Sequence, residues 1–261
     1  MSDTTIRRPI RWSSAEETNV GMVREINEDS IISVPEIQLW AVADGMGGYE
    51  AGNVASDMIV KTLASITNRP SLNEFVDCVE DSLIDVNHRI LEYADIMLDG
   101  RTLGSTVVSL LIKGHVGVCL WAGDSRLYRF RNNELAQLSR DHSQVEELVQ
   151  QGFLTPEEAE SHPDSNVITR AIGASHDIYI DVNVFSVQLG DTFLLCSDGL
   201  YNMVSKDEII QSISSLPIED AVNSLIQKAL NNGANDNVSV ILIKGETDAS
   251  FASKSKPQDI V

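Results

Sequence analysis

Basic residues are what this 261-residue chain is short of: 19 Lys plus Arg stand against 39 Asp plus Glu, a formal charge of −20. A field of that sign repels phosphate backbones and anionic lipid headgroups, which excludes nucleic-acid and membrane-surface binding as main functions. Most of the acids read as a solvated, solubilising surface, with a few left to concentrate cations. Cysteine is scarce as well. Cys78, Cys119 and Cys196 form no CxxC pair, and the last two sit inside apolar runs, so they read as buried thiols of a reducing compartment. No segment approaches the ~18 apolar residues of a membrane span, and the two early arginines of "MSDTTIRRPIRW" have no apolar stretch behind them. The expectation is a cytoplasmic protein.

What is present is a series of short apolar, β-branched runs: "LWAVAD" (39–44), "STVVSLLIKG" (105–114), "VGVCLWAGD" (116–124), "RLYRFRNNELAQL" (126–138), "DTFLLCSD" (191–198) and "NVSVILIKG" (237–245). Tight links at Lys113-Gly114-His115, Gly123-Asp124-Ser125 and Asn132-Asn133 predict antiparallel neighbours and argue against a doubly wound parallel sheet. Helical spacing recurs in Ala55, Ile59, Leu63 and Ile66, in Phe75, Val79, Leu83, Val86, Ile90 and Ala94, and in Ala221, Val222, Leu225, Ile226, Ala229 and Leu230. Helices in two groups outside packed antiparallel sheets bury all these faces, an α+β arrangement in one domain over residues 1–246. The polar stretch 142–175 reads as an inserted flap subdomain, and 247–261 as a disordered tail with too little apolar content to pack.

Aspartates gather where these strands end: Asp29 in "NEDS", Asp44 in "VADG", Asp198 in "CSDG" and Asp236 in "NDNVSV". Each alone is ordinary turn chemistry; the set is not. Two carboxylates about 4 Å apart repel by roughly 4 kcal/mol at an effective dielectric near 20, and a divalent cation reverses that penalty. Carboxylates and a backbone carbonyl, without His or Cys nearby, favour Mg²⁺ or Mn²⁺ over Zn²⁺. Gly45 lacks a side chain that keeps an ion from its carbonyl. A phosphate-cradling glycine loop is the competing reading of "GMGGYEAG", but Glu50 stands where GxGxxG needs glycine and no P-loop lysine follows.

"GMVREINEDS", "VADGMGGYEAG", "LGSTVVSLLI", "WAGDSRLYRF", "RDHS", "ITRAIG", "LLCSDGLYNMV" and "NDNVSVILI" occur in the order found in the PPM family of metal-dependent protein Ser/Thr phosphatases, the type 2C phosphatases. The chain resembles the compact bacterial branch of that family from about Val20 to Ile243. The resemblance implies a four-layer α/β/β/α sandwich and a centre of two Mn²⁺ or Mg²⁺ ions. Asp44 would bridge them, Asp198 and Asp236 would bind one, the Gly45 carbonyl would bind the other, and Glu28 and Asp29 would hold metal-bound waters. Such a pair lowers the pKa of a bridging water from about 15.7 to roughly 7, giving hydroxide for in-line attack on phosphorus. Arg24 matches the family's phosphate-binding arginine, whose fork grips two oxygens at once.

Two positions depart from the pattern. Met46 replaces a His that many eukaryotic members carry as candidate general acid, and Met cannot donate a proton. A third ion near Asp124 would share Asp198 and often an Asp four residues beyond it; Asn202 stands there, which implies weaker binding. His142 in "RDHS" and Ser125, Arg126 and Arg170 are given structural roles. The implied function is hydrolysis of phosphoserine and phosphothreonine on proteins, opposite a cognate Ser/Thr kinase, by a monomer. The alternatives are a catalytically silent pseudophosphatase binding module and a regulatory phosphatase acting on an anti-sigma-factor antagonist or a secretion-system component.

Overall fold

The computed structural model describes residues 9–47, 51–160 and 162–247. In chain order the elements are β1 Ile10–Asn19, β2 Asp29–Val34, β3 Leu39–Gly47, α1 Gly52–Ala64, α2 Leu72–Met97, β4 Leu103–Ser105, β5 Val107–Lys113, β6 Val116–Ala122, β7 Arg126–Arg131 and β8 Glu134–Gln137. There follow α3 Gln144–Gln150, α4 Pro156–Glu160, β9 Asp181–Ser186, β10 Thr192–Cys196, α5 Asp198–Tyr201, α6 Lys206–Ser215, α7 Ile218–Asn231 and β11 Val238–Thr247. Two antiparallel sheets result, one in the order β1-β11-β10-β7-β8 and one in the order β2-β3-β5-β6-β9, with β4 paired to β3.

The period of two along the central strands builds three cores from these sheets. In β3, Leu39, Ala41 and Ala43 face α1 and α2, joining Ile59, Leu63, Phe75, Val79, Leu83, Val86 and Ile90. The alternate residues Trp40 and Val42 face the other sheet, where they meet Trp12, Phe193, Leu195, Ile241 and Ile243. On the far side Leu194, Val240 and Leu242 pack against Leu225, Ile226 and Ala229 of α7. The layers are therefore α/β/β/α, as expected. Phe193 is fully buried between Trp12 and Phe185, each with ring centroids 5.6 Å away. Phe193→Ala is expected to cost about 3–5 kcal/mol in urea unfolding; a loss under about 1 kcal/mol would contradict this packing.

Helix starts follow local chemistry. Ser71 accepts from the Glu74 N–H at the head of α2, and Ser205 with Glu208 forms a reciprocal capping box on α6. Asn132 and Asn133 both adopt positive φ, 53° and 63°, and turn β7 back into β8. One expected link is corrected. Gly123-Asp124-Ser125 does not join a hairpin, because β6 lies in one sheet and β7 in the other. Gly123 at φ +113°, with Thr106 where a Cβ would stand, carries the chain across between the sheets.

The segment 142–175 leaves and rejoins the sandwich between β8 and β9, carrying α3 and α4. Its base is tied by the Ser143–Ile168 bridge and by Thr169 N–H donating to the His142 carbonyl at 2.7 Å. β11 continues through Thr247, where the tail was expected to begin; residues 248–261 lie outside the described residues. Cys119 and Cys196 are buried and free, and Cys78 is half-buried and free.

Candidate metal centre

Antiparallel pairing brings the acids to one end of the sandwich from both sheets. Asp29 opens β2 and lies directly opposite Asp44 near the end of β3. Asp198 follows β10 and Asp236 precedes β11, the neighbouring strand of the other sheet. Asp124 sits on the crossover between the sheets. Five carboxylates thus lie near enough at this end to raise one another's pKa.

The electrostatics record that convergence. Asp44 is held well above the ordinary carboxylate range by burial first, then by Asp29, Asp198, Asp124 and Asp236. Asp198 is pushed up to about 8 by burial and by Asp124, Asp236 and Asp29, with Arg24 opposing. Asp29 rises to about 6 through burial, held down by the hydroxyls of Ser239 and Ser197, each 2.7 Å from its Oδ2. Asp124, also buried, rises to about 6 through burial and the nearby Asp141.

Hydroxyls and amides fix the backbone beneath these acids. The Asp44 carbonyl accepts from Ser105 Oγ at 2.9 Å and Thr106 N–H at 2.8 Å, while its own N–H donates to Thr106 Oγ1 at 3.2 Å. The Gly45 N–H donates to the Glu28 carbonyl at 3.1 Å. A Cβ at Gly45 would lie 2.2 Å from the Gly52 carbonyl oxygen and 2.5 Å from that of Glu28, so close backbone packing requires glycine here, a reason besides access to an ion. Glu28 Oε1 accepts from the Gly52 N–H at 2.8 Å and so holds the start of α1.

Arg24 is half-exposed on the rim, its Nη2 donating to Asp236 Oδ2 at 2.8 Å. Asn202 Nδ2 donates to Asp198 Oδ2 at 3.2 Å, so the Asn turns a donor, not an oxygen, toward the acid. Met46, on β3, packs its side-chain end toward Gly104. His142 stands apart from the acids. Its Nδ1 accepts from the Gly123 N–H at 3.0 Å, its Nε2 faces Asp181 Oδ2 at 3.4 Å, and its ring stacks on Trp121. These contacts join the loop at His142 to Gly123 and Trp121.

Sequence reasoning passed over Ser197, Ser239, Thr106, Tyr201 and Asn237. Tyr201 donates to the Asp124 carbonyl at 3.2 Å, and Asn237 makes three hydrogen bonds to the Arg24 loop and one to Asp236. The signal was there for Asn237 and Ser197, which adjoin Asp236 and Asp198 in the quoted motifs.

A hard divalent ion suits this donor set. Oδ1 of Asp29 is buried without a hydrogen-bond partner, and an orphaned buried acceptor is costly unless a cation or donor reaches it. The surrounding donors are carboxylate and carbonyl oxygens, the ligands Mg²⁺ and Mn²⁺ select. Among the described residues no three His, Cys, Asp or Glu side chains are already gathered closely enough to hold a metal ion.

The chain matches the family model described as protein phosphatase 2C over residues 24–240. It is 36% identical over 235 residues to the serine/threonine phosphatase Stp of Listeria welshimeri, covering 87% of this chain and 93% of that protein. The serine/threonine protein phosphatase PstP of Mycobacterium tuberculosis is 34% identical over 228 residues, and there the match spans only 44% of the relative's length. Among solved structures, PppA of Pseudomonas aeruginosa, described as a key regulatory component of T6SS, aligns with a TM-score of 0.84 at 40% identity over 92% of this chain and 100% of that one. The catalytic domain of a serine/threonine protein phosphatase PstP in complex with two manganese ions aligns with a TM-score of 0.82 at 31% identity, over 91% and 99%. With the α/β/β/α layers and the acid-lined sandwich end already in place, this agreement over most of the sequence makes the chain a member of the protein phosphatase 2C family.

Proposed function

We propose that this chain is a metal-dependent phosphoprotein phosphatase acting on phosphoserine and phosphothreonine. The observation that carries the reading is the meeting of Asp29, Asp44, Asp124, Asp198 and Asp236 at one sandwich end, with Arg24 on the rim. A relative of the same fold is described with two manganese ions, and Asp44, Asp198, Asp236 and the Gly45 carbonyl are the groups we assign to holding such a pair here. When bound, two divalent ions supply the acidity that ionises a water near neutral pH and the positive charge that offsets the phosphoryl oxygens.

The chain's own residues do the rest. Arg24 offers its planar fork to two phosphate oxygens, exchanging a partly exposed ion pair with Asp236 for a doubly charged partner. Asp29, braced by Ser197 and Ser239, orients toward the Asp44 side of the cleft, and Glu28 keeps α1 in register with β3. Neither Met46 nor His142 serves as general acid, since one has no proton to give and the other is engaged with Gly123 and Asp181. Solvent protonates the leaving serine or threonine alkoxide. A third ion at Asp124 is assigned low affinity, because Asn202 donates toward Asp198.

The catalytically silent alternative gains no support, as every acid of the set is retained. No described helix is long and apolar enough to cross a membrane, and we place the enzyme in the cytoplasm as a monomer opposite a Ser/Thr kinase. The flap 142–175 borders a cleft of about 1060 Å³ lined by residues including Arg126, Arg140, Val145, Tyr201 and Asn202, and we assign substrate preference to it. Purified protein is expected to hydrolyse a generic aryl phosphate in Mn²⁺ and to stop in EDTA, with recovery on added Mn²⁺; turnover that persists in EDTA would overturn the assignment. Arg24→Ala is expected to lower kcat/KM by roughly 10²-fold while leaving Mn²⁺ binding by calorimetry intact.

A further inference from the structure

The loop joining β1 to β2, residues 20–28, carries Arg24 at its tip, and one buried side chain from another part of the chain closes that loop. Asn237 is 4% exposed. Its Nδ2 donates to two carbonyls, Val20 at 2.9 Å and Ile26 at 3.0 Å, which flank the arc on either side of Arg24. Its Oδ1 accepts from the Glu28 N–H at 2.8 Å. The carboxamide thereby uses both donors and one of its two acceptor sites in a single orientation, and no other side chain of its size offers both kinds of group. The neighbouring residue completes the hold. Asp236 Oδ2 takes the Arg24 guanidinium at 2.8 Å, and Asp236 Oδ1 takes the Asn237 N–H at 2.9 Å. Gly21, at φ +81°, lies so close that a Cβ there would stand 2.2 Å from the Asp236 carbonyl oxygen, and the Met22 N–H donates to the Ala234 carbonyl at 2.9 Å.

We propose that Asn237 is a positioning residue for phosphate recognition, clamping the 20–26 arc so that Arg24 is presented to the acid cluster in one geometry. The inference rests on the phosphatase reading. An arginine on a free nine-residue loop pays ordering entropy each time it grips a ligand; closing the arc through buried amide bonds removes that cost before the ligand arrives. The isosteric change Asn237→Asp keeps the acceptor for Glu28 but turns a carboxylate toward two carbonyls, and Asn237→Ser shortens the reach to one partner.

The test is a double-mutant cycle of Asn237→Asp with Arg24→Ala in the Mn²⁺-loaded protein, read by kcat/KM on an aryl phosphate and by inhibition with inorganic phosphate. Asn237→Asp is expected to weaken phosphate inhibition at least 5-fold and kcat/KM roughly 10–100-fold, yet to change either less than 3-fold once Arg24 is Ala. Unchanged phosphate inhibition, or a full effect that multiplies with Arg24→Ala, overturns the proposal, because a merely structural role would act independently of Arg24. Amide hydrogen exchange over 20–28 in the metal-free protein needs no turnover and is expected to quicken at least 10-fold. If wild type lacks turnover while that exchange still quickens, the phosphatase reading fails and the clamp stands; if exchange is unchanged, the clamp fails. Should Asn237→Asp not melt cooperatively, Asn237→Ser carries the same cycle.

Discussion

Asp44→Asn is expected to lower aryl-phosphate turnover by roughly 10³-fold or more and, at the same time, to raise the melting temperature of the metal-free protein by several degrees. Both effects come from one charge. Asp44 stands among Asp29, Asp124, Asp198 and Asp236, and burial together with those neighbours disfavours its ionised form. The amide has the same shape and is neutral at every pH, so the metal-free fold no longer meets the cost of burying that carboxylate or of protonating it. The same exchange removes a carboxylate that we assign to holding the metal pair. Stability measured by thermal melting in EDTA and activity measured in Mn²⁺ should move in opposite directions. A variant retaining a tenth of the activity, or one less stable than wild type without metal, would remove Asp44 from the centre of the mechanism.

Metal-free protein is expected to be less stable at pH 8 than at pH 5, and excess Mn²⁺ is expected to cancel or reverse that slope. The folded pKa values of Asp29 and Asp124 are raised from 3.8 to about 6, and that of Asp198 to about 8. Between 3.8 and those values the native state binds more protons than the unfolded chain, so stability falls as pH rises through the window. Asp198 alone spreads this loss from about pH 4 to about pH 8, worth on the order of a few kcal/mol. His142 works the other way, since burial and Arg170 lower its pKa below 6.5 and its contribution grows as pH rises toward that value. One histidine against this group of acids leaves the net slope negative. A chain of charge −20 also repels itself more as pH rises, so Asp198→Asn is the control: it should flatten the metal-free slope. Melting temperatures higher at pH 8 than at pH 5 without metal would refute the account.

The interior strands were legible in the sequence because their residues are buried on both faces. "LWAVA" and "NVSVILI" read as strands because alternate side chains serve two different cores, Leu39 and Ala41 one and Trp40 and Val42 the other. The strands passed over were β1, β2 and β9, which lie at sheet edges, and the three-residue β4, which pairs with β3. β9 alternates half-buried with exposed residues, and β1 buries only Trp12, so neither presents the dense apolar signal that marks an interior strand. The false hairpin at Gly123-Asp124-Ser125 has a related cause. A three-residue link carries no mark of whether the next strand pairs with the last or changes sheet, and the chain there uses Gly123 to pass beside Thr106.

At the site, residue type was legible and partnership was not. Aspartates at strand ends announce themselves, whereas Ser197 and Ser239 look like ordinary strand residues until β10 and β11 bring both hydroxyls to Asp29 Oδ2. Glu28 was expected beside metal-bound water, and its Oε1 is found on the Gly52 N–H; no local pattern tells that α1 begins there. Asn237 illustrates the point most fully, since three of its four partners lie more than 200 positions away.

Because Asp29 and Asp44 belong to one sheet while Asp198 and Asp236 flank strands of the other, an ion shared among them would rivet the two leaves of the sandwich together at a single end. At the opposite end Arg131 of β7 already ties the leaves, its Nη2 donating to the Ser186 carbonyl of β9 at 3.1 Å while its guanidinium pairs with Asp191, so loss of the ion should loosen the acid end first.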